Sequence, residues 1–195
     1  IELDSKNPEI YMNLAILRMN AGQRDRAARL FERAIDADPL YAPAYYNRGK
    51  IYAQEGDDER ALEFYERYIS LEPSSLDARF EVAVILDRAG RLEEALEHLR
   101  HIINERPADV GVMNNIGVIH SKNNEFDMAV RVFEEALEID PDHPAVLLNT
   151  ARAYYRLGDY SRAWEYAVGA ERSGAAVPQE FLSDLRRLVI EPGTP

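Results

Sequence analysis

Four asparagines stand mid-way through apolar-periodic stretches, at Asn13, Asn47, Asn115 and Asn149, and Glu81 holds the place between the second and third, so that each is 34 residues from the next. Asparagine is a poor residue inside a helix because its side chain competes for backbone hydrogen bonds. Its amide offers two donors and an acceptor in one group, which is chemistry for recognition rather than for bond breaking. The other groups that could do chemistry are sparse. His98 and His101, in "HLRH", lie three residues apart and so share a helix face, but no third ligand accompanies them, and they read as two partly exposed imidazoles. The carboxylate pairs Glu93-Glu94 and Glu134-Glu135 read as solvated helix faces, since a glycosidase needs two carboxyls facing across a cleft. There is no phosphate loop, no dinucleotide glycine motif, and no serine or threonine in a nucleophile context. The expectation is a protein that is not an enzyme and takes no cofactor and no metal.

The whole chain narrows the partners. Its 195 residues carry 23 Lys and Arg against 35 Asp and Glu, a net charge of −12, which repels phosphate backbones and anionic lipid. Nucleic acid and membrane are therefore poor partners, and no apolar run approaches the roughly 20 residues of a membrane span. The absence of cysteine removes disulfides and thiol chemistry, and it fits cytosol and periplasm equally, so the compartment stays open.

The elements that position the asparagines emerge when the chain is laid against itself. Pro39, Pro73, Pro107 and Pro141 recur every 34 residues, as do Ala27, Ala61, Ala95, Ala129 and Ala163, and Gly22, Gly56, Gly90, Asn124 and Gly158. A further column, Ala15, Gly49, Ala83, Gly117 and Ala151, is small throughout. Gly49 and Gly117 fall inside apolar-periodic helices, where glycine costs about 1 kcal/mol relative to alanine. The expectation is that this position admits a neighbouring helix at close backbone approach. In one unit Tyr45, Arg48, Gly49 and Tyr52 line one helix face, and Ala61, Tyr65 and Tyr68 line a second. Gly56 separates the two helices and Pro73 ends the pair.

These residues resemble the tetratricopeptide repeat (TPR) signature. Tyr45, Gly49, Tyr52, Ala61, Tyr65 and Pro73 match it in one repeat, and Ile116, Gly117, Ala129, Phe133, Ala136 and Pro141 match it in another. The resemblance implies an all-α, right-handed superhelical solenoid of antiparallel helix pairs. Five repeats are expected at 8–41, 42–75, 76–109, 110–143 and 144–177. Residues 1–7 align with the end of a repeat ("LEIDPDH", 137–143), residues 178–190 form an amphipathic capping helix, and 191–195 form a tail. Arg18, Arg48 and Arg79 occupy usually apolar positions and read as tolerated variation, each laying its stem on apolar surface with its head in water. Ala175 replaces the closing proline of the last repeat.

In such a superhelix the second, fifth, sixth, ninth, twelfth and thirteenth positions of each first helix line a concave groove. The resemblance thus assigns peptide binding to Asn13, Asn47, Asn115 and Asn149, with apolar Met12, Ile16, Met19, Tyr46, Phe80, Val84, Val118, Leu148 and Tyr155 and cationic Lys50, Arg88, Lys122, Arg152 and Arg156. Family members with an asparagine ladder use the amides to hold an extended peptide by its backbone; the alternative is that each amide merely bonds the neighbouring helix. The cationic pair required to clamp chaperone C-terminal tails is missing, since its candidates are Asp77/Glu81, Gly111/Asn115 and Ala145/Asn149. The implied function is a scaffold holding an extended peptide with apolar residues and with acidic residues over repeats four and five. The alternatives are a self-assembly module, including a weak homo-oligomer through the N-terminal end, and the targeting arm of a larger enzyme.

Overall fold

The structure is a computed structural model, and it describes residues 6–190; the expectations for 1–5 and for the 191–195 tail lie outside the described residues. Among the described residues there are eleven helices and no strand. They are α1 (Pro8–Asn20), α2 (Arg24–Ala37), α3 (Ala42–Glu55), α4 (Asp58–Leu71), α5 (Leu76–Arg88), α6 (Leu92–Glu105), α7 (Val110–Lys122), α8 (Phe126–Ile139), α9 (Pro144–Leu157), α10 (Tyr160–Arg172) and α11 (Gln179–Ile190).

Local chemistry sets the ends. Asp57, Ser75, Asp109 and Asp159 each accept a hydrogen bond from the backbone N–H three residues on, capping α4, α5, α7 and α10. The turns inside the pairs require a positive φ, and Gly56 (78°) and Gly158 (80°) supply it without steric cost. Asn124 adopts the same conformation at 62°, which asparagine tolerates better than other side chains do. The chain divides within α6 into two compact units, Ile1–His98 and Leu99–Pro195.

In the N-terminal unit α1 packs on α2 and α3 on α4, while α2 and α4 also pack on the next first helices, α3 and α5. In the C-terminal unit α7 packs on α8, α9 on both α8 and α10, and α11 covers α10. The core of that unit runs from Met113 through Phe133, Val146 and Tyr154 to Leu182 and Leu185 of α11.

The small-residue column has a different neighbour from the one expected. A Cβ placed on Gly117 would lie 2.4 Å from the ring of Phe133, and one on Gly49 would lie 3.1 Å from the ring of Tyr65. The glycines thus seat an aromatic ring from the second helix of their own pair, and that ring is what approaches the backbone.

Arg48 also departs from expectation. It is 8 % exposed, and its guanidinium donates to Glu32 on α2 (3.0 and 3.2 Å) and to the Tyr52 hydroxyl (2.7 Å). It is a buried tie between successive repeats, where the sequence reading had its head in water. Glu134, read as a solvated carboxylate, is a tie of the same kind. It accepts from the hydroxyls of Tyr154 on α9 and Tyr166 on α10, and Arg162 donates to the Tyr154 oxygen at 2.9 Å. In both ties an arginine lies over the tyrosine ring and pairs with the N-cap aspartate of its helix: Arg60 with Asp57, and Arg162 with Asp159.

Candidate functional site

An open cleft of about 360 Å³ lies in the C-terminal unit. Helix α7 contributes Val118, Ser121 and Lys122 to it; α9 contributes Asn149, Arg152, Ala153 and Arg156. The floor comes from Phe126 and Phe133 of α8, with Asn124 from the intervening turn. Five of the residues predicted from the sequence (Val118, Lys122, Asn149, Arg152 and Arg156) are brought together here. The reason is the helical period: positions nine and thirteen of a first helix lie one turn apart on the same face.

Three cations and no carboxylate line this cleft, on a chain of net charge −12. Arg156 is held in place by Asn124, whose Oδ1 accepts from its Nη2 at 3.3 Å, and by the Phe126 ring, 4.5 Å from its Cζ. The arrangement offers positive charge beside an apolar floor, which fits a carboxylate carried on a peptide. Ser121 is turned back on its own helix, donating to the Gly117 carbonyl at 3.0 Å.

The asparagine ladder is partly engaged. Asn149 donates through Nδ2 to Asn114 Oδ1 at 2.9 Å, joining α9 to α7, and this leaves its second N–H and its own oxygen for a ligand. Asn47 donates to the Pro43 carbonyl of its own helix at 2.8 Å. Asn115 is half-buried and Asn13 exposed.

The remaining predicted residues scatter. Met12 is buried in the core with Ala15, Phe31 and Ile51, so it does not line a groove. Tyr155 is half-buried, lying 5.5 Å from Tyr160 and 5.5 Å from Phe181 of α11. Leu148 is half-buried against the C-terminal core. In the N-terminal unit Ile16, Lys50 and Val84 are exposed, while Tyr46, Phe80 and Met19 are half-buried. Arg88 is bonded to Asp58 at the start of α4.

Asn124 and Phe126 are cleft residues that sequence reasoning missed. The signal was present, because Asn124 is the one member of its glycine column with a side chain. Among the described residues no group of three or more His, Cys, Asp or Glu could hold a metal ion, and no helix is long and apolar enough to cross a membrane.

Comparison with known proteins bears on this arrangement. A family model described as tetratricopeptide repeat matches residues 12–75, and one described as the N-terminal TPR repeats region of Psidin matches residues 50–172. Among solved structures, YrrB, described as a TPR protein with an unusual peptide-binding site, aligns at a TM-score of 0.81 and 20% identity over 96% of each chain. A MamA structure aligns at 0.79 and 19% identity, covering 96% of this chain and 97% of that one. MamA from Desulfovibrio magneticus RS-1, from residue 41 to its end, aligns at 0.78 and 19% identity, covering 88% of this chain and 98% of the other. No curated protein matches the chain.

Proposed function

The chain belongs to the tetratricopeptide repeat family, whose members are generally non-catalytic protein-interaction scaffolds, and from that premise we propose that it binds an extended peptide of a partner protein without catalysing a reaction. An acidic side chain of the peptide docks in the α7–α9 cleft against Lys122, Arg152 and Arg156. Asn115 and the unspent N–H and oxygen of Asn149 take peptide backbone, while apolar side chains rest on Val118 and Phe126. The observation that carries this reading is the cleft lining, three cations with no carboxylate on a strongly acidic chain.

A fluorescence-anisotropy titration with an acidic, apolar peptide selected from a library tests it. The double variant Arg152→Ala/Arg156→Ala should weaken binding roughly tenfold or more, and added salt should weaken the wild type. Selection of basic peptides, or an unchanged affinity in the double variant, would remove the reading.

A second reading, self-association through α1, draws on a specific observation. Leu17 is 65 % exposed and Ile10 39 %, whereas their counterparts at the same repeat positions, Ile51 and Ala44, Ile119 and Val112, are buried. Sedimentation at rising concentration should then show a weak dimer that Leu17→Glu abolishes; a monomer throughout, or a dimer indifferent to that change, removes it.

A further inference from the structure

A second cluster lies between α3 and α4 of the N-terminal unit. Tyr46 of α3 sets its ring against two tyrosines of α4, with centroids 5.5 Å from Tyr65 and 5.2 Å from Tyr68. Tyr65 is fully buried, and its hydroxyl has no hydrogen-bond partner. Buried polar atoms are nearly always satisfied, so an orphan hydroxyl beneath a half-exposed ring calls for a reason.

Carboxylates of α5 act on these rings. Burial, and then the Glu81 carboxylate, hold the Tyr65 hydroxyl well above the usual phenol range, so it stays a neutral phenol at physiological pH. Burial, then Glu81 and Asp77, do the same for Tyr46. Two arginines share α5 with these carboxylates: Arg79, between Asp77 and Glu81, donates to the Pro73 carbonyl at 3.1 Å, and Arg88 is turned to Asp58. Lys50, one turn along α3 from Tyr46, is exposed, with its charge on a flexible stem free to reach water. Two carboxylates beside three phenol rings and an unmet hydroxyl oxygen suit an organic cation: the carboxylates balance its charge, the ring faces attract it, and the oxygen accepts one of its N–H groups.

We infer that Tyr46, Tyr65, Tyr68, Asp77 and Glu81 form a subsite for a basic side chain, lysine or arginine, of a bound peptide. Tyr46 is only half-buried, and the subsite requires its ring to swing aside from the Tyr65 hydroxyl. The ligand's methylenes then lie along Tyr68 while its charged end meets Glu81 and Asp77. That the cation is carried by a peptide rests on the proposed function; that the cluster takes a cation does not.

The probe is butylammonium chloride, titrated into the full chain with butan-1-ol as its neutral counterpart, and read from the NMR resonances of the tyrosine rings. Butylammonium should give saturable shifts at Tyr46, Tyr65 and Tyr68, and butanol should give none of that strength. Glu81→Gln, which keeps shape and half-exposure, should weaken the response roughly tenfold. Tyr46→Leu should abolish most of it while circular dichroism shows helicity unchanged. Equal responses to the two probes, shifts spread evenly over acidic surface, or an undiminished response in Glu81→Gln would overturn the subsite. The two ideas fail separately: butylammonium binding with no peptide binding removes the proposed function alone, whereas peptide binding that is lost in Arg152→Ala/Arg156→Ala but insensitive to Glu81→Gln, with a silent ammonium titration, removes the subsite alone.

Discussion

At the scale of single residues, glycine at the seat of an aromatic ring separates two effects that usually run together. Alanine at Gly117 gains about 1 kcal/mol of helix propensity, yet its Cβ would stand 2.4 Å from a Phe133 ring that is fully buried in a filled core. Overpacking of that kind costs about 1–3 kcal/mol, so Gly117→Ala should lower the unfolding free energy in urea. At Gly49 the contact is 3.1 Å, and the Tyr65 ring beneath it leans on the half-exposed Tyr46, which can give way. Gly49→Ala should therefore fall within about 1 kcal/mol of neutral. Equal losses at both sites would mean that the ring contact is not what selects glycine. The glycine columns were legible from spacing alone, but the identity of the group above them was not, because a small residue reports that space is needed and not what fills it. The same limit applies to Met12: the helical period gives the face a residue points to, whereas coverage of that face comes from another helix, here α2.

At the scale of the elements, helix existence followed from apolar periodicity, caps and proline breaks, and these are local signals that the sequence states outright. The ties between repeats were hidden, because Glu32 with Arg48 and Glu134 with Tyr154 are 16 and 20 residues apart and fall outside any helical spacing. The tie at α8–α9–α10 has a consequence in alkali. Burial first, and then the hydrogen bond to Glu134, push the Tyr154 hydroxyl up to about 12 from its ordinary 10.0. Below pH 10 folded and unfolded chains both hold this proton, and its stabilising effect is fully present. Between pH 10 and 12 the unfolded chain releases the proton while the folded one retains it, so stability falls as pH rises, by on the order of 2 kcal/mol from this group. Urea unfolding at pH 9 and at pH 11.5 should show that loss, and Tyr154→Phe should reduce it; a pH response identical in the variant would count against the assignment. Desolvation also raises Tyr46, Tyr65 and Tyr166, so part of the alkaline loss should persist.

At the scale of the whole molecule, a repeat protein's stability is a sum of units and of the surfaces between them. Helix α9 has a neighbour on either side, tied to α8 through Glu134 and to α10 through Arg162. Helix α1 lies at the other extreme, with Leu17 and Ile10 bare where the equivalent residues of α3 and α7 are covered. The difference translates into amide hydrogen exchange. Opening α1 breaks chiefly its packing on α2, so its amides should exchange through a local fluctuation that denaturant scarcely changes. Opening α9 breaks two surfaces and a charged network at once, so its amides should exchange only through an event whose rate rises steeply with urea. Mass spectrometry of peptides from the two helices, after timed exposure to heavy water, should place the slowest protons of the first helices in α9 and the fastest in α1. A peptide or second chain that settled on α1 would then announce itself by slowing those protons before it altered anything else.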